Sequence, residues 1–294
     1  MQIIHHAISS HSSLDLTTAD GDALHVLDLC GRNLGIDVPT KWISLWLPLV
    51  GDIEIDTPQY AWTLQRGDLL TWREQSLRVA SSRPARWLGL CGSPAAWEAR
   101  LRGRHGRDRS EAGILLHDGA CPRALRRLLV RLVRMARRQA DAAAMDATAA
   151  AVLSELLESQ AHLQALLPRC RGRTRQHRQQ VLMRLLRVEH LIRKHEDTRL
   201  DLGYLAASAN YSPSHLIRSY RDVFDETPAE YAARLRGERA WTLVRGTDMR
   251  VCEITEALGF ESQSAFCRAF KKIHGMTASQ ARMRVDDVPM RRAA

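Results

Sequence analysis

The 294-residue sequence predicts an α+β chain of more than one domain, with a β-rich front, a helical middle and a compact all-α rear. Three observations carry that reading. Six of the seven tryptophans, with most of the short turn-punctuated apolar runs, fall in residues 1–100. Leucines recur at helical spacing from about residue 110. A unit of helical pattern then occurs twice between Leu205 and Thr277. The length suits more than one domain of ordinary size, and the expected borders are 1–106, 107–173 and 174–285.

In the front third, the runs Trp42–Leu47, Asp52–Ile55 and Trp62–Leu64 are apolar or alternating. Asp56-Thr57-Pro58, Arg66-Gly67-Asp68 and Ser82-Arg83-Pro84 break them. Strands at roughly ten-residue spacing indicate a small barrel or sandwich. Trp42, Trp46 and Trp62 are candidate lining residues for an apolar effector pocket, although buried tryptophans commonly just fill a core. His5, His6, His11 and His25 are expected to be solvated residues ahead of the barrel, and no histidine follows until residue 105. A metal-dependent barrel enzyme needs convergent His and carboxylate ligands, so neither a metal nor any other cofactor is expected.

In the middle third, Leu125, Leu128, Leu129, Leu132, Val133 and Ala136 form one helical face. Arg123, Arg126, Arg127, Arg131, Arg134, Arg137 and Arg138 stand between them, with no acidic residue from 121 to 140. The arginines are expected on a solvated face. Val152, Leu153, Leu156, Leu157, Leu163 and Leu166 make a second stripe. Two such helices form either a homodimer layer over residues 107–168 or a cap on the barrel. Pro168 to Arg175 is basic, contains Pro and Gly and lacks periodicity, as a linker does.

The rear third carries the duplication. Leu205 to Tyr211 aligns with Ile254 to Phe260 at an offset of 49; after one inserted residue, Glu261, the alignment continues at an offset of 50. Asn210 and Gly259 stand where a helix ends in a left-handed residue. Ser212 and Ser262 are N-caps, and Pro213 suits the first helical position. Leu216/Tyr220 and Phe266/Phe270 face inward, while Tyr211 and Phe260 drop rings into the core. Each copy is a helix-turn-helix.

Charge supports a polyanion as partner only for the part of the chain that follows the mildly acidic first 100 residues. The chain carries a net +10: residues 1–100 hold −3, 101–173 hold +7 and 174–284 hold +6. The outward residues of the second helices have the donors that read bases: Arg for guanine, Gln for adenine. No apolar run reaches the ~20 residues of a bilayer span, so no membrane partner is expected. The N-terminus lacks a secretory pattern, and six scattered cysteines fit a reduced, cytoplasmic chain. Cys170, among arginines, is the one thiol whose surroundings favour a lowered pKa.

Gly259-Phe260-Glu261-Ser262-Gln263-Ser264-Ala265-Phe266-Cys267-Arg268-Ala269-Phe270-Lys271-Lys272, with His274-Gly275, resembles the signature of the AraC/XylS family of bacterial transcription regulators. Arg236 to Val244 resembles that family's linker helix. The resemblance covers about residues 176–284 and implies a seven-helix domain that binds double-stranded DNA and regulates transcription, usually by contacting RNA polymerase. It implies Ser214, Ile217 and Arg218, then Gln263, Ser264, Cys267 and Arg268, as base-facing residues. Arg221 and Lys271 share the same outward faces. The sequence departs from the family at Ala278, where Pro is usual, at Ala281, where Tyr is usual, and at Gly237, normally a larger apolar residue. Gly51–Ile55 and Leu64–Leu70 resemble the glycine-turn hairpins of the cupin-like barrels that many members carry for a small-molecule effector. The competing readings are a cupin-type enzyme with a helical accessory domain, and an interaction protein without specific DNA.

Overall fold

The structure, a computed structural model, describes residues 2–58, 61–73, 75–102, 113–194 and 201–286. It divides into two compact units, Met1–Pro168 and Arg169–Ala294. No described helix is long and apolar enough to cross a membrane.

The first unit begins with strands β1 (Ile3–Ser9), β2 (Ser13–Asp15), β3 (Leu24–Gly31), β4 (Leu34–Val38), β5 (Ile43–Val50) and β6 (Ile53–Asp56). Strands β7 (Ala61–Leu64), β8 (Asp68–Trp72), β9 (Leu77–Ser81), β10 (Ala85–Gly92) and β11 (His117–Ala120) complete it. They form a six-stranded sheet in the order β1-β3-β10-β5-β8-β11 and a five-stranded sheet in the order β2-β4-β9-β6-β7. The expected barrel is therefore not closed: among the described residues neither sheet pairs its own edges. The reason is visible after β5. Gly51, at φ 68°, turns the chain out of the first sheet, and β6 opens pairing with β7 and β9 in the second. Almost every residue of strands β3 and β10 is buried, His25 and Asp28 of β3 included.

Helix α1 (Pro94–Arg102) lies between β10 and β11 in the chain, and α2 (Arg123–Arg137), α3 (Ala142–Ser159) and α4 (Ala161–Gln164) follow β11. Asp141 caps α3 by accepting from the Ala144 amide. The leucine stripes have a partner inside this unit. Leu125, Leu129, Leu132 and Val133 of α2 and Val152, Leu153, Leu156 and Leu157 of α3 share one core with Leu24, Val26, Leu45 and Leu88 of the first sheet. These helices thus act as the sheet's cap, and their leucines are not left over for a second chain. The expected border at 106/107 lies outside the described residues. Gln160, fully buried just after α3, fastens this cap to the strands. Its side-chain amide accepts from the Leu115 amide at 3.0 Å, and donates to the Leu115 carbonyl at 2.9 Å and to Thr71 Oγ1 at 3.2 Å.

The N-terminal histidines are not a solvated lead-in, as their position ahead of the barrel suggested. His5 and His6 lie on β1, which pairs in parallel with β3 and sets His6 beside Leu27. His25 is 1% exposed. Only His11, in the turn after β1, faces solvent. Two adjacent histidines, His5 and His6, break the apolar pattern of this seven-residue strand and hide the strand signal.

The second unit is all-helical: α5 (Arg175–Lys194), α6 (Leu202–Ser208), α7 (Pro213–Phe224), α8 (Pro228–Gly246), α9 (Val251–Ala257), α10 (Gln263–His274) and α11 (Ala278–Asp286). The segment expected as a linker is tied down within this unit. Arg169 pairs with Asp225, Arg171 reaches Asp222 at 2.8 Å, and Arg178 Nε donates to the Gly172 carbonyl at 2.9 Å. Cys170 is buried there, and burial pushes its thiol up to about 11 against the pull of Arg178. That corrects the reading of Cys170 as an activated thiol.

Candidate nucleic-acid interface

Each turn of the duplicated unit is built as its residues require. Asn210 and Gly259 adopt φ 54° and 63°, the left-handed region that glycine enters freely and Asn better than most. Ser212 then accepts from the His215 amide at 3.3 Å, and Ser262 from the Ala265 amide at 3.2 Å. These bonds start α7 and α10, both of 12 residues. Leu216, Tyr220 and Val223 bury one face of α7, and Phe266 and Phe270 that of α10. Tyr211 and Phe260 are only half-buried. The Arg184 guanidinium covers the Tyr211 ring at 5.6 Å, and Arg236 covers Phe260 at the same distance.

The correspondence extends beyond what the aligned residue types announce. Asp225 and Gly275 end the second helices at φ 64° and 72°, again in the left-handed region. Two residues on, each copy closes a reciprocal cap. The Thr227 amide donates to Glu230 Oε2 at 2.7 Å, and the Glu230 amide to Thr227 Oγ1 at 3.2 Å. The Thr277 and Gln280 pair repeats this at 2.9 and 3.2 Å. The Thr-x-x-Glu and Thr-x-x-Gln spacings were the available sequence signal.

Two arginines hold the units in place from the inside. Arg187, 6% exposed on α5, donates to the Ser208 carbonyl at the end of α6 at 3.1 Å. Arg282 on α11 donates to the Val244 carbonyl at 3.2 Å and the Met249 carbonyl at 2.6 Å, joining α11 to the end of α8. Ala278 and Ala281 are 5% and 1% exposed in the second helix-turn-helix core. The two departures from the family pattern are accommodated as small residues in close packing, and α11 forms.

Ser214, Arg218 and Arg221 of α7 are exposed, with Ile217 half-buried. Gln263, Ser264, Cys267, Arg268 and Lys271 of α10 are exposed. Arg218, Arg268 and Lys271 make no ion pair with any described residue, so their charges stand free. Arg221 is the exception, 3.6 Å from Glu230. Helix α8, of 19 residues, lies between the two units; at 1.5 Å per residue it is ~28 Å long.

The tryptophans singled out in the first unit each pack on a different aromatic ring. Trp42 stacks on His25, Trp46 packs on Trp87 and Trp62 packs on Trp72, at 5.3, 5.6 and 5.5 Å between ring centres. Trp46 is fully buried.

Residues 205–284 match the model of a helix-turn-helix domain. Over 107 residues the chain is 31% identical to the regulatory protein SoxS of Salmonella typhimurium, a match that takes in 97% of that protein and 36% of this one. The chain belongs to the AraC/XylS family. A second family relative, the MmsAB operon regulatory protein of Pseudomonas aeruginosa, is 33% identical over 94 residues, which are 31% of its length and 32% of this chain. The chain thus spans about a third of that longer relative. The C-terminal domain of AraT, a response regulator from Geobacillus stearothermophilus, aligns over 34% of this chain and 84% of its own, at 29% identity and a TM-score of 0.33. Family membership rests on the sequence matches, and the helix-turn-helix model falls within the second unit.

Proposed function

We propose that the protein is a sequence-specific DNA-binding transcription regulator in which one chain presents two recognition helices, α7 and α10, to successive major grooves. The observation that carries this reading is the pairing of two identically capped helices whose outward faces hold unpaired Arg218 and Arg268. An unpaired guanidinium on a helix face is what bidentate guanine recognition uses. With its flanking turns, the ~28 Å of α8 suits a separation of about one duplex turn, ~34 Å. The site is then two unequal half-elements roughly 10 bp apart, and a spacer helix slightly shorter than the turn favours bent DNA. Gln263 offers adenine recognition that α7 lacks, and Ile217 offers only apolar contact, so α10 reads more sequence than α7.

The finer parts of the reading are a cytoplasmic location, contact with RNA polymerase, a homodimer and a small effector bound by the first unit near Trp42, Trp46 or Trp62. A β-rich unit appended to the DNA-binding half supports the effector. The burial of the leucine stripes leaves a homodimer to use other surfaces of 107–168, and sedimentation of the full chain measures it.

The test is a footprint of the full chain on a site mapped by genome-wide binding. Two protected grooves on one face of the duplex are expected, and a 5-bp insertion between them should abolish tight binding. Protection of one groove, with the insertion tolerated, would leave only one reading helix.

A further inference from the structure

The first unit carries a charge feature that its fold does not use. Helix α2 is divided cleanly: its leucines enter the core, and its arginines remain outside. Arg137 alone among them is paired, with the buried Asp28. Arg123, Arg126, Arg127, Arg131, Arg134 and Arg138 are exposed and make no ion pair with any described residue. They line a groove of about 950 Å³ floored by Val130, Met135 and Ala140. From Arg123 to Arg138 the stripe runs for 16 residues, ~24 Å at 1.5 Å per residue. Like charges three and four apart on a helix repel one another, so this face costs stability unless an anion lies along it.

We infer that the α2 arginine stripe binds the phosphate backbone of duplex DNA, as a second, sequence-independent contact surface in the half of the chain that carries no helix-turn-helix. Length and charge fit. A duplex strand offers a phosphate every 3.4 Å of axis, so ~24 Å of stripe runs beside about seven. Guanidiniums suit phosphate oxygens through their forked donors. An anionic membrane surface fits less well: a helix that lies in a bilayer interface needs a free apolar face, and that of α2 is spent on the first sheet. The inference rests on the proposed DNA-binding function, which supplies the polyanion. Once α7 and α10 hold a site, the tethered first unit meets the same duplex at high effective concentration.

The experiment uses the full chain and a long duplex containing a mapped site. R127Q/R131Q/R134Q should lower the slope of log K against log salt by ~2 to 3, at about 0.9 per lost phosphate contact. A fourfold rise in salt then weakens the variant roughly 15- to 60-fold less than the parent. R127K/R131K/R134K should keep the parent slope, because charge is what counts. An unchanged slope for the Gln variant overturns the inference. So does a Lys variant as impaired as the Gln variant, which points to altered folding. Loss of flotation with phosphatidylglycerol vesicles, without any change on DNA, also overturns it in favour of a membrane. If the parent chain holds no DNA at all, the DNA-binding reading itself falls; if it holds its site and only the slope result fails, the stripe alone falls.

Discussion

Arg137 of α2 sets its guanidinium against the carboxylate of Asp28 in β3. The two ends of this pair are unequal. Asp28 has a fully buried side chain, and neither of its oxygens has a hydrogen-bond donor among the described residues; Arg137 is 46% exposed. Arg86, at 4.0 Å, is a distant second cation. The Arg137 contact is thus what neutralises a carboxylate cut off from water.

The two single substitutions should accordingly differ. Arg137→Met leaves a buried charge without its partner, a loss of about 3 kcal/mol or more. Asp28→Asn leaves Arg137 free to turn into solvent and should cost about 1–2 kcal/mol. Urea unfolding of both variants measures this, and equal costs would contradict the asymmetry.

Acid should weaken the first unit through the β1 histidines. His6 Nε2 lies 3.0 Å from His25 Nδ1, and His25 Nε2 lies 2.9 Å from the Asp20 carbonyl. A carbonyl only accepts, so His25 Nε2 carries the hydrogen and its Nδ1 accepts from His6. Burial, then the neighbouring His25 and His5, holds His6 below the ordinary imidazole value; burial also lowers His5, with Asp28 opposing. A base with a depressed folded pKa binds fewer protons folded than unfolded. Its share of the stability is complete above about pH 6.5 and is lost as pH falls through the folded value. The urea midpoint should therefore drop between pH 7.5 and 5.5, and drop less in His6→Gln. Parallel pH curves for the two proteins would remove His6 as a cause.

Gly237 and Ile273 should prove coupled. A Cβ at 237 would stand 2.7 Å from Ile273 Cδ1 and 3.2 Å from its Cγ2. The Gly237 carbonyl also lies 3.1 Å from His274 Nε2, which fixes how closely α10 approaches α8. In the Ile273→Ala background, Gly237→Ala should stabilise by about 1 kcal/mol, the helix-propensity gain. In the parent chain the contact with Ile273 should cancel most of that gain. A double-mutant cycle by chemical denaturation reads the coupling, and strictly additive effects would reject it.

Arg268→Ala should weaken binding to the cognate site by ~1–3 kcal/mol and leave random-sequence DNA nearly unaffected. Its side chain is exposed on α10 and engages no described residue, so folding stability should stay within about 0.5 kcal/mol of the parent. Equal losses on both DNAs, measured at one salt concentration, would make Arg268 a phosphate contact.

What was legible in the sequence follows from how local its cause is. Ser212, Ser262, Asn210 and Gly259 act within four residues of themselves, so their roles could be assigned before any fold was known. The same holds for the division of α2 into leucines and arginines. What the leucines pack on could not be read, because the answer lies in Leu24, Val26, Leu45 and Leu88, distant in the chain. His6 was misjudged for the same reason: its burial depends on parallel pairing with β3. The closed barrel failed because edge pairing is a long-range property that strand spacing does not encode. Gly237, an apparent weakness in a helix, makes sense only once Ile273 is seen above it.

The cover that α2 and α3 form over the first sheet also has a consequence for how this half folds. Residues 24 to 90 cannot finish their core until residues 125 to 157 have been made, so the strands must wait, incomplete, through the synthesis of the intervening chain. A fragment ending at residue 106 should emerge with the sheet's leucines bare and should aggregate. One ending at Pro168 should be recovered in solution, melting in a single step as sheet and helices come apart together.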